Sequence, residues 1–208
     1  RQVPAPADVF AALPDLVSIS RCAVDIRTID VAAASAAGVL VTHTSAGFMT
    51  AVAELGLGLM IDLSRNISSS VSAYRSNQQP PAPMGRELKG ATVGIVGYGA
   101  IGVELSRLCR ALGMQVLVYD PHKVVREPGI TQVSFNELLT RADYVVCLAV
   151  ATAETENLFD ASAFARMRPD AFFINLSRGN LVDEAALAAA LDRATLLRMT
   201  GLHPAPAS

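Results

Sequence analysis

The sequence predicts an α/β protein built on a doubly wound parallel sheet, on the strength of three observations. From residue 91 onward, short runs that are apolar throughout alternate with stretches of helical periodicity, as strands buried on both faces of a sheet require. Gly97, Gly99 and Gly102 stand where one such run meets a helix. Asp120 closes the next run, 18 residues after Gly102.

Composition excludes several classes. The chain has 208 residues, 51% hydrophobic and 17% charged, with 14 glycines and 11 prolines, the profile of a folded globular chain rather than a disordered or fibrous one. With a net charge of −2 and a pI near 5.9, there is no basic field to attract a phosphate backbone or an anionic membrane. Neither nucleic acid nor membrane is an expected partner. The longest apolar stretch, 51–63, is interrupted by Glu54 and Asp62 and is shorter than the roughly 20 residues that cross a bilayer. Cys22, Cys109 and Cys147 lack metal-ligand spacing, and two of them sit in apolar runs, where a small buried thiol is the usual reading. No metal is expected, and a reducing, cytoplasmic setting fits. The opening RQVPAPADVF reads as a connection rather than a beginning.

Taken in order, residues 16–19 form a first strand. An alanine-rich helix over 29–38 is closed by Gly38 and followed by a strand at 39–41, as glycine helix ends and the switch in periodicity indicate. Residues 1–45 thus read as part of one α/β layer. Residues 49–75 carry apolar side chains at helical spacing, with Gly56 and Gly58 as expected close-packing points. The breaker NQQPPAPMG follows. The second domain, 46–208 with this connecting helix, then runs strand 91–96, helix 100–112, strand 115–119, helix 135–141, strand 144–148, helix 161–167, strand 171–176 and helix 184–191.

The run VGIVGYGAIG carries G-x-G-x-x-G between strand and helix, the context that turns a weak glycine pattern into a Rossmann dinucleotide site. The first glycine permits the tight turn, the second lets a pyrophosphate approach the backbone, and the third lets helix and strand pack closely. The helix N-terminus adds unpaired N–H groups and positive dipole character. At the end of QVLVYD, Asp120 can accept hydrogen bonds from both ribose hydroxyls and repel a 2′-phosphate, favouring NAD over NADP. His122, Lys123 and Arg126 follow closely and leave some NADP use open. The bland alternative is a tight turn with an acid that merely caps a strand.

With these residues in view, the sequence resembles the D-isomer-specific 2-hydroxyacid dehydrogenases. The resemblance rests on TAVAELGLGLMIDLSR, ELKGATVGIVGYGAIG, VLVYDP, ADYVVCL and, above all, MRPDAFFINLSRGNLVDEAAL. It implies a Rossmann domain, part of a smaller flavodoxin-like substrate domain, and hydride transfer between NAD and a small 2-hydroxy or 2-oxo acid. By matching, Arg178 of N-x-x-R-G binds the substrate carboxylate and carbonyl oxygen. A guanidinium suits both, gripping a carboxylate bidentately and stabilising charge on the reacting oxygen. Tyr98, Ala100 and Ile101 fall along the pyrophosphate, Asp120 and Pro121 beside the adenosine ribose, and Ala149, Thr155, Leu176 and Ser177 on the nicotinamide side. The resemblance also implies a homodimer, with the helix around 52–63 at the subunit contact.

Four departures accompany this match. Ala149 replaces a frequent histidine. Ala23, Val24 and Asp25 stand in the substrate loop, where the family usually has glycines, and Asp25 would repel an anion. The family's glutamate and its Pro-His acid/base pair are not recognisable: His203 sits in a Pro/Ala/Ser tail, His43 ends a strand, His122 follows the ribose acid, and Glu184 is too close to Arg178. After Leu191 the strand expected to lead toward the nicotinamide is missing. The expectation is a longer enzyme lacking both ends here, with a catalytically silent NAD-binding scaffold, similar to corepressors of this fold, as the alternative.

Overall fold

The computed structural model describes residues 4–23, 26–45, 47–80, 84–192 and 198–201. The chain divides into two compact units, 1–48 and 49–208.

The first unit contains α1 (Ala7–Ala12), β1 (Ser18–Arg21), α2 (Val31–Ala36) and β2 (Leu40–His43). The two strands pair in parallel, with Ser18 opposite Leu40, and Phe10, Ile29, Ala34 and Val39 form a small core. Helix α2 is shorter than the 29–38 expected. The Asp30 carboxylate accepts the Ala33 N–H at 2.9 Å and caps its start, and Gly38 at φ +74° follows its end. β1 lies two residues later than expected, because Leu16 is held in a turn by its N–H to the Leu13 carbonyl. Helix α1 was not foreseen, since its six residues are too few to show helical periodicity.

The second unit begins with α3 (Met49–Arg65) and α4 (Ile67–Arg75). The expected single helix is broken at Asn66, whose φ of 57° is a left-handed conformation that asparagine tolerates better than most residues. There follow β3 (Thr92–Val96), α5 (Ala100–Ala111), β4 (Gln115–Tyr119), β5 (Ile130–Gln132), α6 (Phe135–Arg141), β6 (Tyr144–Cys147), α7 (Ala161–Arg166), β7 (Phe172–Asn175), α8 (Glu184–Asp192) and β8 (Arg198–Gly201). The strands form one parallel sheet in the order β5-β4-β3-β6-β7-β8. The chain therefore winds outward from β3 through β4 to β5, then returns to the other side of β3 at β6. In such sheets the crevice beyond the C-terminal strand ends at this reversal is where ligands bind.

Each face of the sheet buries its own core, because side chains along a strand point alternately to opposite sides. Val93, Ile95, Val116, Val118, Tyr144, Val146, Phe172 and Ile174 pack with α3 and α5 through Met60, Leu63, Leu105 and Cys109. Val96, Leu117, Val145, Cys147 and Phe173 pack with α6, α7 and α8 through Leu138, Leu139, Phe164 and Leu187. Gly56 is a close-packing point, since a Cβ there would meet Leu176 Cδ1 at 2.8 Å. Gly58 is not: a Cβ there would meet nothing within 4 Å, because it lies on the exposed side of α3.

Two strands depart from expectation. β5 was not anticipated, since three residues with one apolar side chain carry no periodic signal. The strand expected to be missing after Leu191 is present as β8, paired with β7 from Phe172 opposite Arg198 to Asn175 opposite Gly201. RMTG offers no apolar run, and it is the open edge of β7 that makes it a strand.

Candidate functional site

The crevice at the reversal begins with the glycine turn. Gly97 ends β3 at φ +95°, and a Cβ there would lie 2.7 Å from Ala149 N and 2.8 Å from Ala149 Cα. Only a glycine lets the chain after β3 lie so close to the backbone that follows the neighbouring strand β6. A Cβ on Gly102 would lie 2.7 Å from the Gly97 carbonyl oxygen, so the third glycine lets α5 approach the turn. Gly99 differs from both: a Cβ there would meet nothing within 4 Å. Its missing side chain leaves free space at the first turn of α5, where Ala100, Ile101 and Gly102 present the helix N-terminus.

Asp120 follows β4 and is joined to this turn. One carboxylate oxygen accepts the Tyr98 N–H at 2.8 Å and the other the His122 N–H at 2.9 Å. A carboxylate has about four acceptor positions, so it retains capacity for two hydroxyl donors. Lys123 Nζ donates to the Tyr98 carbonyl oxygen at 2.8 Å. The loop after β4 therefore holds both backbone polar groups of Tyr98.

A cavity of about 580 Å3 opens here. It is lined on one side by Val96, Gly97, Gly99 and the stretch Tyr119 to Lys123, and on the other by Leu148, Ala149, Val150, Thr152, Glu154, Thr155 and Leu158. Gly97, Gly99, Asp120, Pro121, Ala149 and Thr155, singled out in the sequence, thus come together. Thr155 also folds its own loop: its hydroxyl donates to the Val150 carbonyl at 2.7 Å and accepts the Thr152 N–H at 2.8 Å.

Tyr98 departs from expectation. Its side chain does not line the cavity but is buried in the α3/α5 core, with the hydroxyl 3.2 Å from Ser106 Oγ. Burial, together with Glu127 nearby and against the Ser106 hydrogen bond, raises that hydroxyl's pKa, so it stays neutral. Only the Tyr98 backbone serves the turn, the aromatic ring being more stable away from water. Leu176 is likewise buried in this core. Cys147, beneath the floor, has its thiol pushed up to about 12 by burial and is an inert packing group.

Ser177 and Arg178 stand in the turn after β7 and are not among the residues that line the cavity. Asn175, 1% exposed, holds that turn at both ends. Its Nδ2 donates to the Arg178 carbonyl at 2.9 Å and its Oδ1 accepts the Ser177 N–H at 2.9 Å. Ser177 Oγ donates to the Ala149 carbonyl at 2.5 Å, so the arginine's turn is hooked to a residue of the cavity wall. Arg178 itself is exposed, with Nη1 donating to the Ser177 carbonyl at 3.2 Å. The Asn175 role was not read from the sequence, though its signal, the N of N-x-x-R-G, was present.

In the first unit, Ala23 is half-buried just after β1, while Val24 and Asp25 fall outside the described residues, as does His203. His43 is exposed, with Nδ1 3.0 Å from the Thr44 carbonyl oxygen. Among the described residues, no cluster of His, Cys, Asp or Glu could hold a metal ion, and no helix is long and apolar enough to cross a membrane.

A pyrophosphate fits the open space at Gly99 beside a helix N-terminus, and a ribose diol fits the Asp120 carboxylate. The second unit is accordingly a dinucleotide-binding Rossmann domain. Residues 57–200 match the family model described as D-isomer specific 2-hydroxyacid dehydrogenase, NAD binding domain, and the chain belongs to that family. It is 37% identical over 200 residues to D-3-phosphoglycerate dehydrogenase of Mycobacterium leprae, covering 94% of this chain and 38% of that protein. Among solved structures, apo D-lactate dehydrogenase from Escherichia coli superposes with a TM-score of 0.87 at 28% identity, over 95% of this chain and 64% of that one. D-lactate dehydrogenase from Aquifex aeolicus complexed with NAD and lactic acid does so with a TM-score of 0.82 at 28% identity, over 95% of this chain and 60% of that one. The chain thus spans less than two thirds of each of these relatives.

Proposed function

We propose that the protein carrying this chain is an NAD-dependent D-2-hydroxyacid dehydrogenase acting on a small 2-hydroxy or 2-oxo acid. The observation that carries the reading is the coupling of two sites in one unit. The cavity with Gly99 and Asp120 suits the cofactor, and the turn presenting Arg178 is fastened to the cavity wall through Ser177 and Ala149. NAD supplies the hydride acceptor at its nicotinamide carbon. The protein's part is alignment. Asp120 and Pro121 hold the adenosine ribose, Gly99 and the α5 N-terminus the pyrophosphate, and Ala149 and Thr155 border the nicotinamide end. Arg178 binds the substrate carboxylate and stabilises charge on the reacting oxygen.

A homodimer in a cytoplasmic setting completes the reading. The outer stripe of α3, Ala51, Glu54, Leu55, Gly58 and Ile61, is exposed, and Gly58 leaves room for a second helix to approach.

The test is NADH-fluorescence titration of the wild type, Asp120→Ala and Arg178→Lys, with steady-state reduction of a panel of 2-oxo acids. Asp120→Ala is expected to bind NADH about tenfold more weakly, the scale of lost charge-assisted hydrogen bonds. Arg178→Lys should bind NADH normally but lose at least about a hundredfold in kcat/KM, because an ammonium cannot reproduce the bidentate fork. NADH binding with no turnover of any 2-oxo acid would instead support the scaffold reading.

A further inference from the structure

Gln132 ends the edge strand β5, opposite Val118 of β4, and it does not line the cavity. Its side-chain amide nevertheless reaches along the sheet edge into the loop that does. Nε2 donates to the Asp120 carbonyl at 3.2 Å and to the Lys123 carbonyl at 2.7 Å, while Oε1 accepts the Val125 N–H at 2.9 Å. Both donors are used, and the partners fix the amide's orientation, since the flipped amide would set its oxygen against two carbonyls.

The two residues whose carbonyls Gln132 holds, Asp120 and Lys123, are the ones whose side chains grip Tyr98. Asp120 takes the Tyr98 N–H and Lys123 the Tyr98 carbonyl. Glycine turn, acid and ammonium are therefore kept in register by one side chain on a strand that has no other part in the site. The loop runs from β4 to β5 without a helix to brace it, so its conformation depends on such side-chain hydrogen bonds.

We infer that Gln132 is a positioning residue for recognition of the cofactor's adenosine ribose, acting through Asp120 and Lys123. With the amide in place, the carboxylate sits at one fixed distance from the glycine turn, where it accepts ribose hydroxyls and opposes a 2′-phosphate. Without it, the loop samples other arrangements. Binding of NADH weakens, and discrimination against NADPH, which relies on the acid standing in one place, falls with it. The inference rests on the assignment of Asp120 to the ribose.

The experiment is a double-mutant cycle on the intact protein, read by NADH and NADPH fluorescence titration, with thermal unfolding as a check on folding. Gln132→Leu is expected to weaken NADH binding roughly fivefold, on the order of one or two net hydrogen bonds, and to narrow the NADH-to-NADPH preference. In an Asp120→Ala background it should have almost no further effect, because coupled residues are non-additive. Gln132→Glu keeps the acceptor for Val125 but sets a carboxylate against two carbonyls, and should behave as the leucine variant does. Should Gln132→Leu fold and leave NADH affinity and cofactor preference unchanged while Asp120→Ala weakens binding, the inference is overturned. Additive effects of the two substitutions would overturn it equally, as a merely structural role would. If Asp120→Ala itself changes nothing, the ribose assignment fails, and this inference falls with it.

Discussion

The three glycines of the turn share one motif but stand under different constraints, and substitution separates them. Gly99→Ala adds a methyl group that touches no protein atom within 4 Å, at a φ of −75° that alanine adopts freely. Its thermal stability should match the wild type while NADH affinity falls at least about tenfold, since the methyl occupies the space left for pyrophosphate. Gly97→Ala meets the Ala149 backbone at 2.7 Å at a φ of +95°, and should cost at least about 2 kcal/mol of stability in urea unfolding. The tight turn at Gly97 and the close packing at Gly102 were legible because glycine spacing reports backbone geometry directly. The inward turn of Tyr98 was not, since a tyrosine beside a turn can face water or core, and only the packing of α3 and α5 against β3 decides which.

At the scale of elements, α3 is tied to the sheet by a buried polar contact as well as by apolar packing. Ser64 Oγ donates to the Met60 carbonyl and lies 2.7 Å from the Tyr144 hydroxyl, and the Tyr144 ring stacks on Phe172 with centroids 5.3 Å apart. Among the described residues, no buried side-chain nitrogen or oxygen lacks a partner. Tyr144→Phe, which removes only the hydroxyl, should lower stability by about 1 kcal/mol, and Ser64→Ala by about 1–3 kcal/mol, because it strands a buried phenol. The double variant should cost less than their sum in urea unfolding. The bounds of α6 and β4 were read as observed, because the apolar pattern that builds them lies in their own residues. The break at Asn66 escaped that reading because a single left-handed residue leaves the apolar spacing on either side intact, and the three-residue β5 and four-residue β8 because each exists through a neighbouring strand rather than through its own pattern.

At the scale of the whole molecule, the exposed stripe of α3 is the feature with consequences for assembly. Leu55 is 46% and Ile61 38% exposed, a cost in water that pairing with a second copy would remove. Light scattering of the wild type is expected to give twice the subunit mass, and Leu55→Glu with Ile61→Glu the single mass, with NADH affinity retained. A single mass for the wild type at micromolar concentration removes the dimer from the proposal. What the sequence alone determined is the alternation that makes a parallel doubly wound sheet, the glycine turn and the acid after the next strand, because these depend on local periodicity and on backbone freedom at single residues. Tertiary structure alone decided where the sheet reverses, that the Tyr98 ring is core, that Ser177 ties the arginine's turn to Ala149, and that Gln132 holds the loop after β4. Each of these joins residues brought together by strand order and register, which no local pattern records.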